Sequence, residues 1–227
     1  MLAIASRSFS EVLSPPFRAI LWKSLGITIA LLFLVWASIQ GTVNYFIDFA
    51  DYPWLETVVS LLTGIGAFVG LGFLIAPVSA IFAGLFQDEV AELVELHDYP
   101  ADPPGKAMAL IPSLVLAVKF AGVIILGNLF ALFLLLVPGI NIIAFFMVNG
   151  YLLGREFFQF AAMRQTSEVE ARRLRKAHGG TVMIGGMLIA CVLAVPILNL
   201  LTPIFATVFM MHLFKRVHAR APDGSVR

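Results

Sequence analysis

The sequence has 227 residues, of which 60% are hydrophobic and only 13% are charged, and its mean hydropathy is +0.95. Soluble domains are nearer to half apolar and a quarter charged, so this composition predicts a membrane protein and argues against a soluble enzyme. The formal net charge of +1 gives no support for a nucleic-acid partner. The single cysteine, Cys191, excludes an intrachain disulfide and a cysteine-rich metal site.

Residues 1–17 are predicted to form an interfacial helix. One helical face of Met1–Leu13 carries Leu2, Ala5, Phe9, Val12 and Leu13, and the polar side chains Ser6, Arg7, Ser10 and Glu11 fall away from it. This division is typical of a helix that lies in the membrane–water interface. Met1–Ser24 contains four charged residues and no apolar core, so we do not expect a cleavable signal peptide.

Two long helices are predicted next, at residues 20–47 and 55–97. Their apolar stretches, Leu25–Ile47 and Thr57–Phe86, each exceed the roughly 18–20 residues that cross about 30 Å of hydrocarbon. The acidic connection Asp48–Glu56 has no Lys or Arg and is predicted to lie outside the cell. The second helix continues into the cytoplasm as an acidic amphipathic extension that the prolines after His97 stop.

The remaining two apolar stretches, Ala107–Gly154 and Thr181–Phe214, predict re-entrant helical hairpins at residues 106–165 and 181–218. Basic residues before the first span, between Arg155 and Lys176, and at the C-terminus place both chain ends and both hairpin bases in the cytoplasm. Two full spans and a turn need about 40 residues, and Thr181–Phe214 supplies only 34.

A Val-Pro-x-x-Asn element occurs in the middle of both stretches, with Pro138 and Asn141 in the first copy and Pro196 and Asn199 in the second. Proline breaks a helix, and the Asn amide could bond the carbonyls that it frees, so these residues are the predicted hairpin tips. The alternative is two ordinary proline kinks, and the first stretch is long enough for two full spans.

The predicted architecture is therefore one all-α integral membrane domain, residues 1–227. It has two full transmembrane helices, two re-entrant helical hairpins, the N-terminal interfacial helix and a short charged cytoplasmic helix at residues 167–178.

No residues with catalytic or metal-binding spacing are found. The sequence lacks the common zinc-protease, serine-hydrolase and phosphate-loop motifs, so we expect no enzyme activity, no cofactor and no metal. The four histidines, His97, His178, His212 and His218, lie at run ends or in loops, and we interpret them as interfacial or solvated. Gly66 and Gly70 form a Gly-x-x-x-Gly pair that allows close helix packing but indicates no function.

Three cations are candidates for anion binding. Ser14-Pro15-Pro16-Phe17-Arg18 suits a helix start, where free N–H groups, the helix dipole and a guanidinium favour an anion. Lys23 lies about one turn further on, and Lys119 is a cation inside an apolar run. The alternatives are contact of Arg18 and Lys23 with lipid phosphates and snorkelling of Lys119 to the interface.

Three segments make the sequence resemble the CysZ family of bacterial inner-membrane sulfate transporters, within the etoposide-induced-protein superfamily. They are Ile75-Ala76-Pro77 with the acidic extension after it, Val137-Pro138-Gly139-Ile140, and Val195-Pro196-Ile197-Leu198-Asn199-Leu200-Leu201 with Pro203. The resemblance implies two transmembrane helices with two hemi-penetrating hairpins, a homo-oligomer in membrane lipid, and uptake of sulfate or a related oxyanion for cysteine biosynthesis. It also implies the bacterial inner membrane as the location, with both termini cytoplasmic.

The sequence departs from the family pattern at the sulfate-binding turn. The family turn looks like Pro-Gly-apolar-Arg-Arg, whereas Pro16 here replaces the glycine and only Arg18 remains of the arginine pair. Val78-Ser79-Ala80 replaces Phe-Asn-Gly, and Lys119 matches a family lysine whose cationic neighbours are apolar here. A non-transporting assembly or regulatory protein that uses the basic Arg164–Lys176 surface therefore stays open as the alternative function.

Overall fold

The computed structural model describes residues 1–46, 86–107, 140–195 and 198–219, together with residues 54, 57–59, 61–62, 64 and 66. Within these residues the secondary structure is helical, with no strand. The helices are α1 (Leu2–Val12), α2 (Pro15–Phe46), α3 (Gln87–Asp98), α4 (Ile140–Met163), α5 (Glu168–Ala177), α6 (Gly179–Leu193), a 3₁₀ turn (Leu198–Leu201) and α7 (Thr202–His218). The predicted all-α class is confirmed for this part of the chain.

The chain divides into two compact units, Met1–Arg18 with Gln87–Arg227, and Ala19–Phe86. In the first unit α7 is the central helix and contacts α1, α3, α4 and α6. Every residue from Thr202 to Lys215 is buried, which is expected for a helix that is apolar on all sides and surrounded by other helices. Phe205 stacks on Phe209 with 5.7 Å between ring centroids, and Phe158 of α4 meets Phe214 edge-on at 6.2 Å.

Helices α4 and α6 pack in close backbone contact through three glycines. A Cβ atom placed on Gly186 of α6 would lie 1.8 Å from the carbonyl oxygen of Gly150 and 2.6 Å from the backbone nitrogen of Gly154 in α4. Neither distance is compatible with a side chain, so only glycine fits at position 186 with the helices this close. Small residues at such a crossing bring two helices together in a membrane protein without a hydrophobic driving force.

Among the described residues, two helical segments are long and apolar enough to cross a membrane, Pro15–Thr42 within α2 and Leu198–His218. Large apolar side chains along α2, among them Trp22, Phe33 and Leu34, are more than half exposed, as lipid-facing residues would be. In the second unit the hydroxyl of Thr28 donates to the Ser24 carbonyl at 2.8 Å. This satisfies a polar group within an apolar helix, as a helix in lipid requires.

Helix α5 begins where local capping favours it. The Ser167 hydroxyl accepts a hydrogen bond from the Glu170 N–H at 3.3 Å, and the first and last turns carry acidic and basic residues respectively, which matches the helix dipole. After His178 the chain bends by 90° into α6. The bend places the start of α6 beside the end of α5.

Candidate functional site

The predicted anion site begins at the start of α2. Arg18 is exposed, and its backbone N–H donates to the Ser14 carbonyl at 3.0 Å, which closes the first helical turn. Pro15 and Pro16 have no N–H, so Phe17 supplies the only free backbone donor among the first three helical residues. This helix start therefore offers an anion the Arg18 guanidinium and little backbone support.

The other two predicted cations are Lys23 and Lys119. Lys23 belongs to the second unit, where its ammonium lies 4.4 Å from the centroid of the Phe86 ring. Such a cation–π contact favours a positive charge next to an aromatic face. Lys119 lies outside the described residues.

Two of the four predicted tip residues, Pro138 and Pro196, lie outside the described residues. Asn141 is the second residue of α4. Asn199 lies in the 3₁₀ turn, partly buried, and its backbone N–H donates to the Val195 carbonyl at 2.8 Å. The carbonyl before Pro196 is thus bonded by the Asn199 main chain, and the roles of the two Asn side chains stay predictions.

A buried ion-pair network lies in the first unit and was not predicted. The Arg164 side chain is 4% exposed and donates hydrogen bonds to both oxygens of the Glu95 carboxylate. The distances are 3.0 Å from Nε to Oε1 and 2.8 Å from Nη2 to Oε2. Arg164 Nη1 also meets Asp88 Oδ1 at 2.5 Å, and the Gly105 N–H donates to Glu95 Oε2 at 3.1 Å. The network joins α3, the loop after it and the end of α4. The prediction that Arg164 belongs to a basic surface is therefore wrong.

A cavity of about 450 Å³ opens beside this network. Its charged lining residues are Asp88, Glu89, Glu92, Glu95, Asp102 and Arg164. Acidic groups outnumber the single guanidinium, which Glu95 and Asp88 already neutralise, so the field in this cavity is unfavourable to an oxyanion.

A second polar cluster surrounds His212 of α7. His212 Nε2 lies 2.8 Å from Glu11 Oε2 and 3.9 Å from Asp98 Oδ2, and its Nδ1 lies 2.8 Å from the Tyr99 hydroxyl. Arg7 pairs with both carboxylates, and burial raises the pKa of Tyr99. Because the His212 side chain is only 3% exposed, its interpretation as an interfacial or solvated histidine is wrong.

The His212 cluster has a geometry that could hold a cation. One ligand atom each from Glu11, Asp98 and His212 lie within 4.8 Å of one another. Arg7 already binds the other oxygen of each carboxylate, so its guanidinium compensates one of the two negative charges without an ion. No spacing in the sequence indicated this cluster, because its members come from α1, α3 and α7.

Comparison with known proteins identifies the family to which the chain belongs. The family model described as sulfate transporter CysZ/etoposide-induced protein 2.4 matches residues 4–203, which extend from α1 through the 3₁₀ turn. No curated protein matches the chain in sequence. The match covers most of the 227 residues, and the two long apolar helices agree with a membrane location. The chain therefore belongs to the sulfate transporter CysZ/etoposide-induced protein 2.4 family.

Proposed function

We propose that this protein carries sulfate or a similar oxyanion across the bacterial inner membrane and so supplies cysteine biosynthesis. The observation that carries the proposal is the family match over residues 4–203. On this proposal the protein is a homo-oligomeric transporter in membrane lipid rather than an enzyme, and it needs no cofactor.

The proposed topology keeps both termini in the cytoplasm, with α1 in the interface and α6 and α7 as the arms of a re-entrant hairpin. The arms have 15 and 17 residues, which at 1.5 Å per residue gives about 22 and 25 Å, short of the roughly 30 Å hydrocarbon core. The burial of α7 by other helices supports this arrangement, because an interrupted helix at membrane depth must be enclosed by protein. If the 3₁₀ turn is added to α7, Leu198–His218 is long enough to cross, and this is the competing topology.

The proposed anion site at the start of α2 uses Arg18 as its principal side chain, with Lys23 and Lys119 secondary. One guanidinium and one free backbone donor predict weak binding, since each charge-assisted hydrogen bond contributes roughly 1.5–3 kcal/mol. Restoring the family pattern with Pro16→Gly and Ala19→Arg should tighten sulfate binding in calorimetry, and Arg18→Ala should abolish it. Tight binding by the wild type that Arg18→Ala leaves unchanged would place the site elsewhere. Absence of oxyanion binding in every variant would refute the transport proposal.

The alternative is a non-transporting assembly or regulatory protein of the same fold, favoured by the exposed basic residues of α5. Arg172, Arg173 and Lys176 are exposed there. Arg172 and Arg173 pair with Glu168 and Glu170 on their own helix, which reduces the charge offered to an acidic partner. A protein with this alternative function would transport no sulfate.

A further inference from the structure

The His212 cluster places a histidine nitrogen and two carboxylate oxygens at distances close to those of a metal site. One ligand atom each from Glu11, Asp98 and His212 lie within 4.8 Å of one another. Neighbouring ligand atoms of a tetrahedral zinc ion, each about 2.0–2.1 Å from the metal, lie roughly 3.3 Å apart. His212 Nε2 lies 2.8 Å from Glu11 Oε2 and 3.9 Å from Asp98 Oδ2. Small side-chain movements would therefore bring the imidazole and both carboxylates onto one ion.

The charge of the His212 cluster favours a cation. Arg7 donates to Oε1 of Glu11 and to Oδ1 of Asp98, so one guanidinium faces two carboxylates. With a neutral imidazole, one negative charge is left over. The side chains of the three ligand residues are at most 19% exposed, so water screens this charge less than it would at the surface. A divalent cation at the ligand atoms would compensate it.

The atoms that would not coordinate the ion are held by neighbouring side chains. The Tyr99 hydroxyl lies 2.8 Å from His212 Nδ1, and Arg7 occupies the other oxygen of each carboxylate. Proteins hold metal-bound histidines and carboxylates in this way, through hydrogen bonds to their remaining polar atoms. When an ion takes Nε2, the neutral ring carries its proton on Nδ1, and the Tyr99 oxygen accepts it. The surroundings thus orient the ligands without occupying the coordinating atoms.

We propose that the His212 cluster binds a divalent transition-metal ion of the zinc class through His212 Nε2 and one oxygen each of Glu11 and Asp98. One imidazole nitrogen with carboxylate oxygens suits Zn²⁺, whereas Mg²⁺ and Ca²⁺ prefer six or more oxygen ligands. The ligands come from α1, α3 and α7, so the ion is structural and fastens α1 and α3 to the central helix. The expectation of no metal was based on spacing along the sequence, which does not register ligands from three helices.

Two ligand substitutions and one control test the site. His212→Gln removes the nitrogen ligand from the buried helix α7. Glu11→Gln is the milder change, because Glu11 is partly exposed and the glutamine oxygen can still accept from Arg7. His97→Gln is the matched control, since it removes an exposed imidazole from α3, directly before Asp98, without removing a ligand of the cluster.

The measurements are calorimetric titration of chelator-treated, detergent-purified, full-length protein with Zn²⁺, and the melting temperature with and without the ion. The wild type should bind Zn²⁺ at this site and melt at a higher temperature in its presence. His212→Gln and Glu11→Gln should each weaken the binding roughly tenfold or more and lose most of the stabilisation, whereas His97→Gln should stay within about twofold of the wild type. Mg²⁺ at the same concentration should not stabilise the protein.

The proposal is overturned if the wild type binds no Zn²⁺, which would show that hydrogen bonds alone hold the cluster. It is also overturned if the ligand variants bind Zn²⁺ as the wild type does, or if Mg²⁺ stabilises the wild type as much as Zn²⁺ does. If His212→Gln is too unstable to purify, the comparison of Glu11→Gln with His97→Gln decides. Sulfate binding is measured separately, so failure of the metal site leaves the proposed function standing.

Discussion

Replacing Arg164 by leucine is expected to destabilise the protein strongly, because the Glu95 carboxylate would stay buried without its partner. Glu95 has a side chain only 6% exposed and receives two hydrogen bonds from Arg164 and one from the Gly105 N–H. After the substitution a single backbone donor would remain. Asp88 is 41% exposed at its side chain, so water can solvate it once the guanidinium is gone.

The expected loss of stability follows from the Glu95 charge, which stays buried after Arg164 is removed. Removing one member of a buried ion pair costs about 3–5 kcal/mol, because the remaining charge is uncompensated. For a protein of this size each kcal/mol shifts the Tm by roughly 2–4 °C, so the melting temperature should fall by roughly 6–20 °C. A second substitution, Glu95→Leu, removes the orphaned charge, and the double variant should recover part of that loss.

The effect is measured by heating the protein in detergent and recording the loss of its monodisperse elution peak with temperature. Arg172→Leu is the control, since it breaks an exposed pair with Glu168 on one helix and should cost no more than about 1 kcal/mol. The reasoning is refuted if Arg164→Leu melts within about 2 °C of the wild type, or if the double variant is less stable than Arg164→Leu alone.

Three further changes test the packing and the hairpin. Gly186→Ala should lower stability by about 1–3 kcal/mol, because its Cβ would overlap the Gly150 carbonyl, whereas Gly26→Ala, with nothing near its Cβ, should not; equal melting of the two would contradict the close α4–α6 contact. Single cysteines at the exposed positions Gly180 and Arg216, introduced into a Cys191→Ser variant, should react with a membrane-impermeant reagent from the cytoplasmic side only. Labelling of the two positions from opposite sides would show that α6 and α7 do not form a re-entrant hairpin. If the Asn199 amide bonds the carbonyls that Pro196 frees, Asn199→Leu should lower the free energy of unfolding. The expected loss is about 1–3 kcal/mol by values measured in water and under about 1 kcal/mol by values for contacts between membrane helices. If Asn199→Leu and Asn141→Leu both melt like the wild type, the two asparagines do not stabilise the hairpin tips.

The helical class was predictable because it follows from local properties of the sequence. Apolar runs longer than a membrane is thick can satisfy their backbone groups as helices. The first long helix was bounded at residues 20–47, and α2 begins at Pro15, where the Ser-Pro-Pro segment suits a helix start. The short helix α5 is likewise readable from Ser167 and the charge order that follows it. These are features of neighbouring residues, and no long-range contact is needed to infer them.

The polar clusters of the first unit could not be predicted in the same way. Arg164 was counted as a cytoplasmic charge and as part of a basic surface, whereas its pairing with Glu95 joins residues 69 positions apart. One signal was present, because Asp88 and Glu95 are seven residues apart and so share a face of α3. His212 had no such signal, since its partner Glu11 lies 201 positions away, at the other end of the chain.

Uptake of radiolabelled sulfate into proteoliposomes, with and without an imposed proton gradient, tests the central claim most directly. The account predicts uptake above that of protein-free vesicles, and it predicts less uptake when Arg18 is replaced by alanine. Reconstituted, monodisperse wild-type protein that passes no sulfate under either condition would contradict transport and favour the non-transporting alternative.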